Sequence, residues 1–187
     1  TYEFDACAVP IDWVSAPACL TIHARDAYDG HADDLDVSAY ARRRTPGRMN
    51  PCTGPIGIRG AAPGDMLQVT IDAIRVAPRG YVAAIRGTGI LGNCEVDPGI
   101  EPFDVEGGFV RFANRITLPV RPMVGPIGVA PAAGAIATLS LGDHGGNLDF
   151  NEIAVGTAVH LPIRVPGALF GIGDVHLSLI HISEPTR

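Results

Sequence analysis

Residues 66–76 read MLQVTIDAIRV, in which apolar and polar side chains alternate for most of the length. Successive side chains of a strand point to opposite faces, so a period of two predicts a strand with one buried face. Strands of this kind are typical of antiparallel sheets. This stretch is the clearest strand signal in the chain, and it favours a fold built from antiparallel sheets.

Short apolar segments recur on both sides of this strand. Glycine and proline account for 23 and 16 of the 187 residues, which suits many short elements joined by tight turns and disfavours a helical bundle. We predict an all-β fold, with sandwich or barrel-like antiparallel sheets and few short helices. The other expected strands include residues 19–25, 109–112, 116–120, 124–129, 135–141 and 159–165.

Composition limits the domain organisation and the classes of partner. Hydrophobic residues make up 47% of the chain, enough for a core, and we predict one domain over residues 1–176, with two β lobes that could meet near 98–105. The net charge of −6 comes without a basic stripe, which argues against nucleic acid as a partner. No apolar run reaches the length of a membrane span. We therefore expect a cytoplasmic protein.

The four cysteines are scattered, with no C-x-x-C pair. This spacing fits neither a disulfide framework nor a typical zinc site. We interpret them as small buried side chains in a reducing compartment.

Two dense polar stretches stand out as candidate functional sites. Residues 142–149 read GDHGGNLD, and residues 173–176 read GDVH. In extended backbone, residues two apart share a face, so Asn147 would lie beside Asp149, and Asp174 beside His176. Imidazole and carboxylate ligands together suit zinc or another divalent first-row metal, and a nearby carboxylate general base would manage the protons. The two stretches therefore predict a site for metal-assisted hydrolysis.

Other interpretations of these and similar motifs stay open at this point. Two polar glycine turns with purely local hydrogen bonds would give the same pattern. Residues 87–92 match G-x-G-x-x-G, but the following Asp97-Pro98-Gly99 would break the helix that a dinucleotide site needs. No G-x-S-x-G elbow is present, which weakens Ser-His-Asp chemistry. A binding module of β-sandwich type, with a sugar or a structural calcium, is the rival to an enzyme.

Four blocks of the sequence, in the same order, resemble the acetamidase/formamidase family of amide hydrolases. The likeness extends from about Leu20 to His176, and its last two blocks are the most specific. The blocks are residues 26–30, residues 50–56 with 60–65, residues 144–149 and residues 161–176.

The resemblance implies a predominantly β fold, hydrolysis of short aliphatic amides such as formamide or acetamide to a carboxylate and ammonia, a divalent metal and a homodimer. Zinc is the metal we expect, with calcium as the alternative. The residues carried over are Asp26, Asn147 and His144 as catalytic groups, and His144, Asp149, Asp174 and His176 as metal ligands, with the division between metal and substrate left open.

The chain departs from the family pattern at three places. His31 stands where the family favours glutamine, and Asp143 where it favours proline or a small residue. The third departure is residues 177–187, where the family continues through Gly-Asp-Gly-Glu. This tail resembles a translated sequencing adapter, which we interpret as an artefact that leaves the copy incomplete. The alternative is a natural divergent end with residues 177–182 as a strand.

Overall fold

The computed structural model describes residues 1–27, 29, 49–84, 99–112 and 115–177. Within these ranges the chain forms strands and turns without a helix, so the all-β prediction is confirmed. It follows that these ranges hold no helix suited to crossing a membrane. The strands are β1 (Glu3–Asp5), β2 (Asp12–Ser15), β3 (Cys52–Arg59), β4 (Met66–Thr70), β5 (Arg79–Ala84), β6 (Gly99–Glu106), β7 (Phe109–Phe112), β8 (Ile116–Pro119), β9 (Pro122–Val124), β10 (Pro126–Gly128), β11 (Ala135–Ala137), β12 (Leu141–Gly142), β13 (Gly145–Asn147), β14 (Ala158–Pro162), β15 (Phe170–Gly173) and β16 (Val175–Leu177).

A six-stranded sheet lies at the centre, in the order β12-β13-β10-β15-β3-β2. All neighbours in it are antiparallel except β2 and β3, which are parallel. Strands β5 to β8 form a separate four-stranded meander, and the pairs β1–β11, β4–β14 and β9–β16 complete the described sheets. The prediction of antiparallel sheets is thus confirmed for nearly every pairing.

Strands β9 and β10 and strands β15 and β16 form one antiparallel ribbon with a bend. Val124 pairs with Val175 before the bend and Ile127 with Ile172 after it, so the register does not change. At the bend itself the Gly125 N–H donates to the Asp174 carbonyl oxygen at 3.0 Å. Asp174 has a φ of 39°, in the left-handed region, which turns the chain out of the central sheet. The bend therefore fixes where Asp174 and the next residues point.

The main core lies between the central sheet and the β4–β14 pair. Ile56, Ile127 and Phe170 contribute from the sheet and Leu161 from β14, all of them buried. Burial of such side chains is the dominant favourable term in folding. In β4 the burial alternates with a period of two, as the sequence predicted.

The predicted strands are found in part, since those at residues 124–129 and 135–141 are interrupted at Gly125 and at residues 138–140. Residues 109–112 form β7 as expected, whereas the strand predicted from residue 66 ends at Thr70, where Ile71 bonds to Thr157 and Gly156 and closes the ladder. The predicted strand at residues 19–25 is wrong. Both edges of the nearby β3 are already paired, with β2 and β15, and the segment meets β3 through a side-chain hydrogen bond from Thr53 to the His23 carbonyl oxygen. Alternation alone does not make a strand without a free sheet edge.

Some expectations lie outside the described residues. These are the glycine motif at 87–92, His31, Cys94 and residues 178–187 of the tail. The division into two lobes remains a prediction, and residues 99–105 lie within β6.

The cysteine interpretation is correct for one of the three described thiols. Cys52 is fully buried in β3, and burial raises its pKa to about 12, which keeps it a neutral thiol. Cys7 and Cys19 are exposed, contrary to the expectation, because they lie in segments that the core does not cover.

The glycine pair at positions 145 and 146 allows β13 to enter the central sheet. Gly145 has a φ of 99° and Gly146 a φ of 108°. A Cβ atom on Gly145 would lie 2.2 Å from the Ile127 carbonyl oxygen, and one on Gly146 would lie 1.9 Å from that of Ser140. Only glycine meets both the backbone angle and the close approach.

We predict that Gly146→Ala lowers the free energy of unfolding by at least about 2 kcal/mol, from the unfavourable φ and the clash together. The matched control is Gly156→Ala, which has a similar φ of 92° but no atom within 4 Å of the added Cβ. Urea denaturation of both variants separates the two effects. Equal losses of stability would show that the close approach to Ser140 contributes nothing.

Candidate active site

Three titratable side chains meet at the bend of the ribbon. Nε2 of His176 lies 2.9 Å from Oδ2 of Asp174 and 3.5 Å from Oδ1 of Asp149. The Asp174 side chain is 4% exposed, that of His176 34% and that of Asp149 45%. The cluster is therefore deep at Asp174 and open to a small molecule at Asp149.

Two pKa values in this cluster are shifted upward. Burial alone would lower the pKa of His176, but the contact with Asp174 and the negative charges of Asp174 and Asp149 outweigh it, and the net shift is upward. The pKa of Asp149 is also raised, mainly by burial and further by Asp174, although His176 and a hydrogen bond from Asn147 oppose the shift. Groups with perturbed pKa values in a partly open cluster are typical of functional sites.

A chain of amide groups extends the cluster into the fold. Nδ2 of Asn147 donates to Oδ2 of Asp149 at 2.9 Å, and Nδ2 of Asn50 donates to Oδ1 of Asn147 at 3.0 Å. Asn147 ends β13, and Asn50 comes just before β3. Sequence reasoning did not single out Asn50, which appeared only as the first residue of a longer motif.

The structure brings together Asn147, Asp149, Asp174 and His176, but not by extended backbone. Asp149 has a φ of 44° and Asp174 a φ of 39°, so the backbone of both is left-handed and not extended. The side chains meet because the bend of the ribbon and the end of β13 are adjacent through β10. These four of the predicted residues therefore lie together, although the predicted geometric reason for it is wrong.

The donor atoms of the cluster have the chemistry of a metal site without its closed geometry. Oδ2 of Asp174 and Nε2 of His176 are enclosed, and their contact is not aligned as a hydrogen bond. Spacings of 2.9 and 3.5 Å resemble those between neighbouring ligands of one ion, about 3.3 Å for tetrahedral zinc. As placed, however, no set of three or more His, Cys, Asp and Glu side chains in the described ranges meets the geometry of a metal-binding group.

His144 lies apart from this cluster in the contacts that the structure describes. Its ring is fully buried and meets the Phe4 ring edge to face, with the ring centroids 5.3 Å apart. Burial lowers its pKa, which favours the neutral imidazole. Neither ring nitrogen has a hydrogen-bond partner within the described part of the chain. Its assignment to metal or catalysis stays a prediction.

The remaining singled-out residues have separate surroundings. Asp26 is exposed and lies in a turn whose Ala27 carbonyl oxygen accepts the Asn50 N–H at 3.3 Å, which places this segment next to the amide chain. Asp143, one of the departures from the family pattern, forms an exposed ion pair with Arg164 at 2.7 Å. Asp143 therefore has a role of its own on the surface beside His144.

Comparison with known proteins gives a match to one enzyme family. The sequence profile described as the acetamidase/formamidase family matches residues 8–140 and 132–179. A formamidase homologue from Schizosaccharomyces pombe is 28% identical over 189 aligned positions, which cover 70% of this chain and 46% of the homologue.

Two crystal structures share the fold over nearly the whole chain. Acetamidase from Bacillus halodurans matches with a TM-score of 0.87 and 34% identity, over 95% of this chain and 60% of that protein. A predicted acetamidase/formamidase from Thermoanaerobacter tengcongensis matches with a TM-score of 0.86 and 37% identity, over 95% of this chain and 58% of that protein.

The chain thus spans between 46% and 60% of the length of these relatives. The profile match takes in more than half of the chain, and its second segment includes the bend with Asp174 and His176. On this basis the chain belongs to the acetamidase/formamidase family.

Proposed function

We propose that the protein hydrolyses short aliphatic amides, formamide or acetamide, to a carboxylate and ammonia. The observation that carries the proposal is the convergence of Asp149, Asp174 and His176 at the bend of the ribbon. Family membership supports amide hydrolysis as the reaction class. Exposure that rises from Asp174 to Asp149 supports a small substrate that approaches from the Asp149 side.

Amide hydrolysis needs a water that attacks the carbonyl carbon and a proton that reaches the departing nitrogen. We propose that Asp149, Asp174 and His176 form the floor of the site, and that Asn147 is a positioning residue. Both functional atoms of the Asn147 amide are already engaged, with Asn50 and Asp149, so its contribution is to hold Asp149. We propose Asp26 as a further catalytic group, because its segment adjoins the amide chain through the hydrogen bond from the Asn50 N–H to the Ala27 carbonyl oxygen.

The metal requirement is part of this proposal. We propose that Asp149, Asp174 and His176 would hold a divalent ion, with zinc favoured by the mixed oxygen and nitrogen donors. The support is the donor chemistry and the two enclosed donor atoms that lack an aligned hydrogen bond. When bound, such an ion polarises the amide carbonyl and makes water a stronger nucleophile. His144 remains proposed as a further ligand or catalytic group.

The wider setting is also proposed. A small amide substrate agrees with the family, and we expect a cytoplasmic homodimer that binds neither nucleic acid nor membranes. The net charge of −6 supports the exclusion of nucleic acid.

Replacement of Asp174 tests the reaction and the metal together. In protein made from the complete gene, we expect Asp174→Ala to lower ammonia release from formamide or acetamide at least about 100-fold, and to lower the zinc content measured by elemental analysis. The control is Asp104→Asn, an exposed carboxylate on β6, which should keep both. Full activity in Asp174→Ala would refute the assignment, and calcium alone without activity would favour the binding module.

Replacement of Gly125 tests the position of His176. A Cβ atom there would lie 2.6 Å from Nε2 and 2.8 Å from Cδ2 of His176, and 3.0 Å from the Asp174 carbonyl oxygen. We expect Gly125→Ala to push the imidazole away from Asp174 and to lower kcat/KM about tenfold or more, since small displacements of catalytic groups are costly. Gly99→Ala on β6, where φ is not positive and the added Cβ meets no atom within 4 Å, is the control. Wild-type kcat/KM in Gly125→Ala would show that the site does not need His176 where it lies.

A further inference from the structure

The amide chain from Asn50 to Asp149 has a direction. Asn50 donates to Asn147, and Asn147 donates to Asp149, whose other carboxylate oxygen faces His176. An ionised carboxylate only accepts hydrogen bonds, so Asn147 must present its Nδ2 to Asp149. Its Oδ1 then faces Asn50, which must donate. The charge at Asp149 therefore determines, for both amides, whether the nitrogen or the oxygen faces each neighbour.

The surroundings of Asn50 leave few residues that can take its place. It is 6% exposed and has a φ of 52°, and its N–H donates to the Ala27 carbonyl oxygen. Glycine, asparagine and aspartate adopt this left-handed conformation most readily. Of these three, only asparagine carries a side-chain donor. Backbone and hydrogen-bond polarity together thus select asparagine.

We propose that Asn50 is a positioning residue of the amide-hydrolysing site. It fixes the orientation of the Asn147 amide, and through it the orientation of the Asp149 carboxylate towards His176. The catalytic part of this inference rests on the proposed function, whereas the hydrogen-bond polarity does not.

Two substitutions at position 50 separate polarity from backbone. Asn50→Asp keeps the size of the side chain and a tolerated φ but replaces the donor with an acceptor. Asn50→Gly keeps the backbone conformation and removes the side chain. We expect Asn50→Asp to lower the folding equilibrium constant about tenfold or more, and Asn50→Gly to lower it less, because facing acceptors cost more than a missing partner. A purely backbone role predicts that both are tolerated alike, and that result would overturn the proposal.

A second-site change tests whether the coupling passes through Asn147. Asp149→Asn can donate, so the double variant Asn50→Asp/Asp149→Asn allows the whole chain to run in the opposite direction. We expect it to recover most of the stability lost in Asn50→Asp. In an Asn147→Ala background the same second change should recover nothing. Equal recovery there would mean direct repulsion between two carboxylates, and would overturn the role of Asn147 as the link.

Kinetics supply the functional readout in protein made from the complete gene. Because Asn50 contacts Asn147 and not the proposed substrate, Asn50→Asp should lower kcat about tenfold or more with KM nearly unchanged, and Asn50→Gly should lower kcat less. A rise in KM with unchanged kcat would overturn the positioning role. If the wild-type protein hydrolyses no amide, the proposed function fails. The stability measurements on the variants at positions 50, 147 and 149 still decide the direction of the hydrogen bonds from Asn50 to Asp149.

Discussion

The bend at Gly125 and Asp174 is the constraint on which the site depends. One hydrogen bond, from the Gly125 N–H to the Asp174 carbonyl oxygen, joins the two strands where the ribbon leaves the central sheet. The register is the same on both sides, so the bend changes direction without an extra residue. Asp174 is buried as a result, and His176 follows on the partly open side. A carboxylate and an imidazole two residues apart thereby come into contact.

The second half of the site comes from β13 through the same central strand. β10 pairs with β13 on one side and with β15 on the other, so the end of β13 and the bend of the ribbon are neighbours. The Gly145–Gly146 pair permits the close approach of β13, which ends at Asn147. Asp149 then reaches His176 from outside the sheet. Two polar turns distant in sequence become one cluster because a single strand separates them.

The all-β class and the proximity of the two polar stretches could be predicted from the sequence. The backbone conformation that brings their side chains together could not. The alternation at residues 66–70 corresponds to a half-buried strand. The same alternation at residues 19–25 does not produce a strand, because both edges of the nearby β3 are already paired. Asn147 and Asp149 were expected together from extended backbone, yet the backbone of Asp149 is left-handed. Asn50 could not be predicted from local patterns, because its hydrogen bond is to Asn147, 97 positions away in the sequence. Gly125 likewise matters for the space it leaves to His176.

In the proposed function Asp149 and His176 act as one site, and a double-mutant cycle on kcat/KM for ammonia release tests this coupling. Residues that act as a unit show strongly non-additive losses. We expect that Asp149→Ala and His176→Ala each remove nearly all activity, and that the double variant is hardly worse than either. Independent losses that multiply in the double variant would contradict a shared site.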